Sequence, residues 1–291
     1  MANIRYTVLL LLVGLAMGSA KADDKFNYKT IDYPGAPNTG IFGINRSGNM
    51  SGTYFDMKGV AHAFVHKAGK FSGPIDFPKA NRTFGFGLND SGQVVGYYIN
   101  TDYTVHGYVY TGGKFSAIDY PKATATRAFG INTSGQVVGS FIDDTGKVHG
   151  FLNTNEKFTV LDFPGAIRTE AYGINDAGQI VGFYTESSNE VVHGFLHNAG
   201  KFTTIDLPGA QRTNPYGINQ SGHIAGSFVD DKAPHGFIDN GEKLKLNVPE
   251  KALSTFVFAL NDGGDVVGQY VDLDSVDHGF LATTAKGVEK K

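Results

Sequence analysis

A unit of about 44 residues is written six times along this chain, and only a modular fold can absorb such a repeat. Aligned, the unit reads Phe-x-x-Ile-Asp-aromatic-Pro-Gly-Ala, Thr, aromatic-Gly-Ile-Asn-x-Ser-Gly, Val-Gly-x-Tyr and His-Gly-Phe. Copies begin at Phe26, Phe71, Phe115, Phe158, Phe202 and Leu244, with spacings of 45, 44, 43, 44 and 42 residues. A period in this range is the mark of a solenoid, propeller or array. Residues copied into every unit serve the unit, so function is sought where the copies differ.

Each copy holds four short strand-like stretches bounded by Gly, Pro or Asn. In the fourth copy these are Phe158 to Asp162, Ala171 to Asn175, Gln179 to Thr185 and His193 to His197. Helical periodicity is absent, and four strands per unit is the spacing of a β-propeller blade. The Asn-x-Ser/Ala/Gly-Gly stretches at Asn45, Asn89, Asn132, Asn175, Asn219 and Asn261 read as hairpin turns, because Asn and Gly tolerate positive φ. Three bands of strand glycine, beginning at Gly43, Gly52 and Gly107, are expected to let adjacent sheets approach closely. Phe42, Phe86, Phe129, Tyr172, Tyr216 and Phe258 are expected to fill the space between blades. The first copy starts with a lone strand, Phe26 to Asp32, and the last ends without a fourth. The fold expected is therefore all-β, a six-bladed β-propeller closed by the N-terminal strand completing the last blade.

The first 22 residues carry a short basic start, an apolar run centred on Leu9 to Val13, and Ala20-Lys21-Ala22, which together read as a signal peptide. The expected organisation is a signal peptide over 1–22, one propeller domain over 23–285 and a short basic tail over 286–291. The protein is expected to be secreted, extracellular or periplasmic, monomeric, and free of the membrane after cleavage. No later segment is long and apolar enough for a spanning helix. The chain has no cysteine, which excludes thiol catalysis and thiolate metal sites and leaves stability to packing. Removing Arg5 and Lys21 moves the formal charge from −3 to −5. A mildly acidic chain without a basic run is not a nucleic-acid binder.

The stretch Gly-Ile-Asn-x-x-Gly-x-Ile-Val-Gly followed by His-Gly-Phe, with His62-Ala63-Phe64 in the first copy, resembles the HAF repeat of bacterial extracellular repeat proteins. The resemblance covers roughly residues 26 to 282 and implies a secreted bacterial repeat protein. It brings no catalytic residue or cofactor. The last copy departs most, with Asn247 in place of the Asp and Ala259 in place of the Gly.

The repeated histidines His62, His106, His149, His193, His235 and His278 suggest a metal ring, and geometry opposes it. They fall on the third strand from the axis, and strands are about 4.8 Å apart. Histidines so placed on different blades cannot share an ion with bonds of about 2.1 Å. They read instead as structural, with Asp32, Asp76, Asp119, Asp162 and Asp206 as partners fixing the imidazole. The loops carrying Asp143-Asp144, Asp230-Asp231 and Asp272 with Asp274 are candidate calcium ligands, without EF-hand spacing. No other cofactor is implied.

What varies lies ahead of the innermost strand. Arg82, Arg168 and Arg212 precede the repeat Thr, whereas Arg127 follows its own. With Thr83, Thr126, Thr169, Thr213 and Glu170 they form the candidate binding site at the channel mouth. Guanidinium groups there suit carboxylates and other anions. The reading is a non-enzymatic binding propeller for a glycan, a small anion or a protein. The alternative is a carbohydrate-active hydrolase or lyase at the same mouth.

Overall fold

The computed structural model describes residues 26–284, apart from 187–190, 232, 242 and 247–251. The proposed signal peptide, the basic tail and Asn247 lie outside the described residues. All regular structure described is strand, arranged as six antiparallel four-stranded blades. The innermost strands are Asn38–Ile44, Arg82–Leu88, Ala125–Ile131, Arg168–Ile174, Arg212–Ile218 and Ser254–Leu260, here the inner strands of blades 1 to 6. Each packs on its two neighbours, blade 6 on blade 1 included, so the ring is continuous. The fold is a six-bladed β-propeller.

In blade 6 the strand order is Phe26–Thr30 outermost, then Asp277–Thr284, Val266–Val271 and Ser254–Leu260. Phe26 to Thr30 pairs antiparallel with Thr284 to Phe280, which removes what would be a sheet edge. Elsewhere the top of a third strand pairs briefly with the start of the next inner strand, as in the parallel bridge Val148 to Arg168. The Phe or Tyr that ends each His-Gly-aromatic tripeptide (His-Ala-Phe in blade 1), such as Phe151 and Phe195, is buried, and these supply the largest core side chains.

Every inner strand carries a β-bulge at the same place, between Ala171 and Gly173 in blade 4 and at the equivalent residues elsewhere. A bulge inserts one unpaired residue and flips the side-chain alternation. The six aromatics expected between blades sit on these bulges and turn to the axis instead. Their rings touch in sequence around it, from Phe42–Phe86 at 4.9 Å through Phe129–Tyr172 at 4.1 Å to Phe258–Phe42 at 4.7 Å. They form a collar around the channel.

The glycine bands also divide. Gly130 packs against the next blade, where an added Cβ would lie 2.3 Å from the Tyr172 carbonyl oxygen. Gly182 instead faces its own hairpin, where a Cβ would lie 2.0 Å from the carbonyl oxygen of Glu170. Only part of the glycine therefore serves contact between sheets, and the rest makes room for the bulge.

The histidines take the structural role expected. The Nδ1 of His62, His106, His149, His193 and His278 lies 2.7 to 2.9 Å from Asp76, Asp119, Asp162, Asp206 and Asp32 respectively. They are part-exposed near the loop face, not fully buried. Each imidazole also stacks on the aromatic opposite it, as Tyr184 on His193 at 5.3 Å. In blade 5 the imidazole of His235 reaches Asp230, at 3.2 Å from Nε2.

The acidic loops are occupied by the protein itself. Asp143 accepts from the backbone N–H of Thr145 and Lys147 and from the Thr145 hydroxyl, and its other oxygen meets His149. Asp272 does the same for Asp274, Val276 and His278. Among the described residues no group of three or more His, Asp or Glu could hold a metal ion. Of the carboxylates proposed for calcium, Asp143, Asp230 and Asp272 are turn caps.

Candidate functional site

The channel opens on two faces. On one, the repeat asparagines close the ring. The Asn45 amide donates to the Asn89 carbonyl, and the same bond runs on through Asn132, Asn175, Asn219 and Asn261 back to Asn45, at 3.0 to 3.4 Å. All six are buried, so these turn residues are also the belt between blades. Outside them, Arg46 lies between Asp262 and Asp90, and backbone N–H groups of Arg46, Thr133, Asp176 and Gln220 donate to the next side chain around.

The opposite mouth is framed by the first residues of the inner strands and by the loops between second and third strands. Strand residues two apart share a face, so each inner strand offers three axial positions above the bulge. The rim holds Asn38, Arg82, Ala125, Arg168, Arg212 and Ser254. The middle layer holds Gly40, Phe84, Arg127, Glu170, Asn214 and Phe256. The aromatic collar is the floor.

The repeat threonines leave this site. Their positions alternate away from the axis, and all are buried. Thr83, Thr126, Thr169 and Thr213 each accept a hydrogen bond from the backbone N–H of Phe77, Tyr120, Phe163 and Leu207. Each hydroxyl thus pins the preceding loop to its strand and is not a channel-mouth ligand.

Arginine and glutamate remain. Arg82 and Arg212 are exposed at the rim. The Arg168 Nε donates to Glu170 at 2.8 Å with Nη2 alongside, and the Ser140 hydroxyl of blade 3 donates to the other Glu170 oxygen at 3.3 Å. Glu170 is only 4% exposed. The Arg127 guanidinium is half-buried, 5.7 Å from the centre of the Tyr97 ring. Burial holds the Tyr97 and Tyr172 hydroxyls above the ordinary phenol range, so both stay neutral donors; nearby Glu170 pushes the same way.

The one glycine of the middle layer makes the site asymmetric. At Gly40 a cavity of about 200 Å³ opens between blades 6, 1 and 2. Phe42, Phe55, Phe84, Phe86 and Tyr97 wall it, and Asn38, Thr53, Gln269 and Asp277 supply polar groups. Phe84 and Tyr97 stack at 4.6 Å. Gln269 Nε2 donates to Asp277 at 2.7 Å, and the Asp277 backbone N–H donates to Asn38 at 3.1 Å. The smaller hollow within the Asn belt, about 90 Å³, is lined by groups already bonded to each other. Loop tips flanking the cavity are apolar: Leu273 of blade 6, Met57 of blade 1 and Tyr103 of blade 2 are 66%, 82% and 81% exposed. Blades 3 and 5 carry Asp144 and Asp231 in the matching loops.

Sequence reasoning found Arg127, Arg168 and Glu170 and missed Gly40, Phe84, Tyr97, Gln269 and Asp277. The signal was the residue after each repeat Thr, which is different in nearly every copy.

The sequence matches no family model and no curated protein. Solved structures with a similar fold include the lectin of Aleuria aurantia, described as a six-bladed propeller with a novel mode of fucose recognition (11% identity, 87% of this chain and 93% of that one, TM-score 0.53). Another is SapL1 lectin in complex with alpha methyl fucoside (12%, 81% and 88%, 0.53). A putative gluconolactonase is also similar (12%, 91% and 96%, 0.50). At such identities the likeness concerns the fold.

Proposed function

We propose that this is a secreted, non-enzymatic propeller of the HAF-repeat kind that binds a glycan on its loop face. One sugar ring occupies the cavity at blades 6, 1 and 2. The carrying observation is that cavity, with aromatic walls on one side and Asn38, Gln269 and Asp277 on the other. Sugars present an apolar ring face and a polar edge, and aromatic walls with a few placed polar groups suit both. Drug-sized ligands need about 300–1,000 Å³, so a cavity of about 200 Å³ suits a single residue of a chain that runs out over the face. The lectin neighbours, named for fucose, support the idea that this architecture can present sugars.

A panel of methyl glycosides tested by thermal shift decides the matter. A sugar at ten times its Kd adds about 1.4 kcal/mol, or roughly 3–5 °C for a domain of this size. The shift is expected to vanish in Phe84→Ala. Lack of any shift across the panel, or a shift indifferent to Phe84→Ala, would refute the reading. A hydrolase or lyase remains the second reading, because Glu170 and Asp277 bring two carboxylates to one mouth. Cleaved product in the same mixtures would replace binding by catalysis.

A further inference from the structure

The cations of the loop face are not equivalent. Arg168 is spent on Glu170, whose remaining oxygen takes the Ser140 hydroxyl. Arg82 and Arg127 have no carboxylate partner among the described residues. Neither lines the cavity itself, but each adjoins one of its wall residues, Phe84 or Tyr97. Arg82 lies two residues before Phe84 on the same strand face, and so sits above it. Arg127 lies beside Tyr97, with the guanidinium 5.7 Å from the ring centre, and Phe84 and Tyr97 are stacked in the cavity wall.

Arg127 owes this place to its register. The other three arginines precede the repeat Thr and stand at the rim, whereas Arg127 follows it and stands one layer deeper, level with Phe84. It is half-buried there, held by an aromatic face and not by an acid. An unpaired, partly desolvated guanidinium favours an incoming anion, and its planar fork matches a carboxylate. The far wall has the opposite character. Asp277 lies there, anchored by Gln269, and repels an anion while accepting from sugar hydroxyls.

We infer that the sugar held in this cavity is an acidic one, a pyranose whose carboxylate faces Arg127 and Arg82 and whose hydroxyls face Asp277, Gln269 and Asn38. This rests on the cavity being the glycan site, and it adds both the chemical class and the orientation of the ligand.

The test is calorimetric titration of the full-length protein with methyl glucuronoside and methyl galacturonoside, their methyl esters, and the matched neutral glycosides. At least one acid is expected to bind at least about tenfold tighter than its ester, with affinity falling as salt rises. Arg127→Gln is expected to remove most of the acid's advantage over its ester, and Arg127→Gln combined with Arg82→Gln all of it. Arg127→Lys should restore part of the difference, and unchanged melting temperatures of these variants exclude misfolding. Neutral sugars binding as tightly as acids, with binding lost in Phe84→Ala, would overturn the acidic class and leave the glycan reading standing. Failure of every sugar to bind would remove both.

Discussion

The two mouths of the channel are built from the same six strands and are opposite in character. At the strand ends, one residue type recurs in every blade, and each Asn amide binds the next blade's carbonyl until Asn261 returns to Asn45. Five residues before each Asn, the middle layer reads Gly, Phe, Arg, Glu, Asn, Phe. Few bonds cross between blades there, among them Ser140 to Glu170. Sixfold repetition is what a closed ring of bonds requires, since one missing member opens it. Variation is tolerated only where no such ring is made, and a ligand without sixfold symmetry needs variation.

Two asparagines separate these roles most sharply. Asn175 donates to the Asn219 carbonyl across the blade interface and accepts from the Gln179 backbone N–H within its turn. Asn175→Ala strips the Gln179 N–H of its partner and leaves the Asn219 carbonyl with the Gly222 N–H alone. A loss of roughly 1–3 kcal/mol is expected in urea unfolding. Asn214, in the variable layer, is expected to change stability by less than about 0.5 kcal/mol on substitution by Ala. Equal losses would show that the variable mouth also holds the ring.

The same contrast governs what could be read from the sequence. The period gives blades, strand order and closure because all depend on repetition alone. The His–Asp pairs were legible for the same reason, four of the five recurring at 13 or 14 residues from the end of one copy into the start of the next, as His149 with Asp162, and the fifth, His278 with Asp32, joining the two ends of the chain. The bulge was not legible. It leaves Tyr172 and its equivalents unpaired at the end of the axial face, where they form the collar instead of packing between blades. The threonines misled because repetition shows that a hydroxyl is needed without showing that a loop N–H needs it. The cavity was hidden because its walls come from positions as distant as Phe55, Tyr97 and Gln269. A glycine marks a cavity only once its neighbours are placed.

A smaller effect separates the loop face from the belt by pH. Asp143 is held below the usual carboxylate range, chiefly by the Thr145 hydroxyl and with help from His149. For Asp272 the backbone N–H of Val276 is the main cause, with His278 contributing. Burial alone would lower His278, but Asp32 and Asp272 outweigh it and hold the imidazole above its ordinary value. The depressed acids stabilise the fold above about pH 4 and lose that contribution as pH falls through their folded values. His278 stabilises it below about pH 6.5 and loses that contribution as pH rises through its raised value. The cluster is therefore most stabilising between these limits. His66 and His197, both lowered by burial, act in the opposite sense as pH falls below about 6.5. The difference between wild type and Asp272→Asn isolates the cluster: it should be largest near pH 5 and shrink toward pH 8. A difference independent of pH would mean that Asp272 acts only as a turn cap.

A small expected change in stability carries the largest expected change in binding. An added Cβ at Gly40 would lie 2.7 Å from the Phe42 ring and 2.8 Å from the Gln269 side-chain oxygen. Both neighbours are side-chain ends, so they can move, and Gly40→Ala should cost no more than about 1 kcal/mol. The movement is into the cavity, since Phe42 and Gln269 both line it. The volume left is then too small for a sugar ring, and the thermal shift from the best glycoside should disappear while the melting temperature barely changes. Alanine at Gly182 offers the counterpart, because its Cβ would lie 2.0 Å from the Glu170 carbonyl oxygen, a backbone atom. There the strand itself must shift, stability should fall by about 1–3 kcal/mol or more, and the cavity three blades away should still bind at temperatures where the protein is folded. If Gly40→Ala left binding intact, the variable layer would lose its claim to the ligand, and the division between a repeated mouth that closes the ring and a varied mouth that binds would fail on its second half.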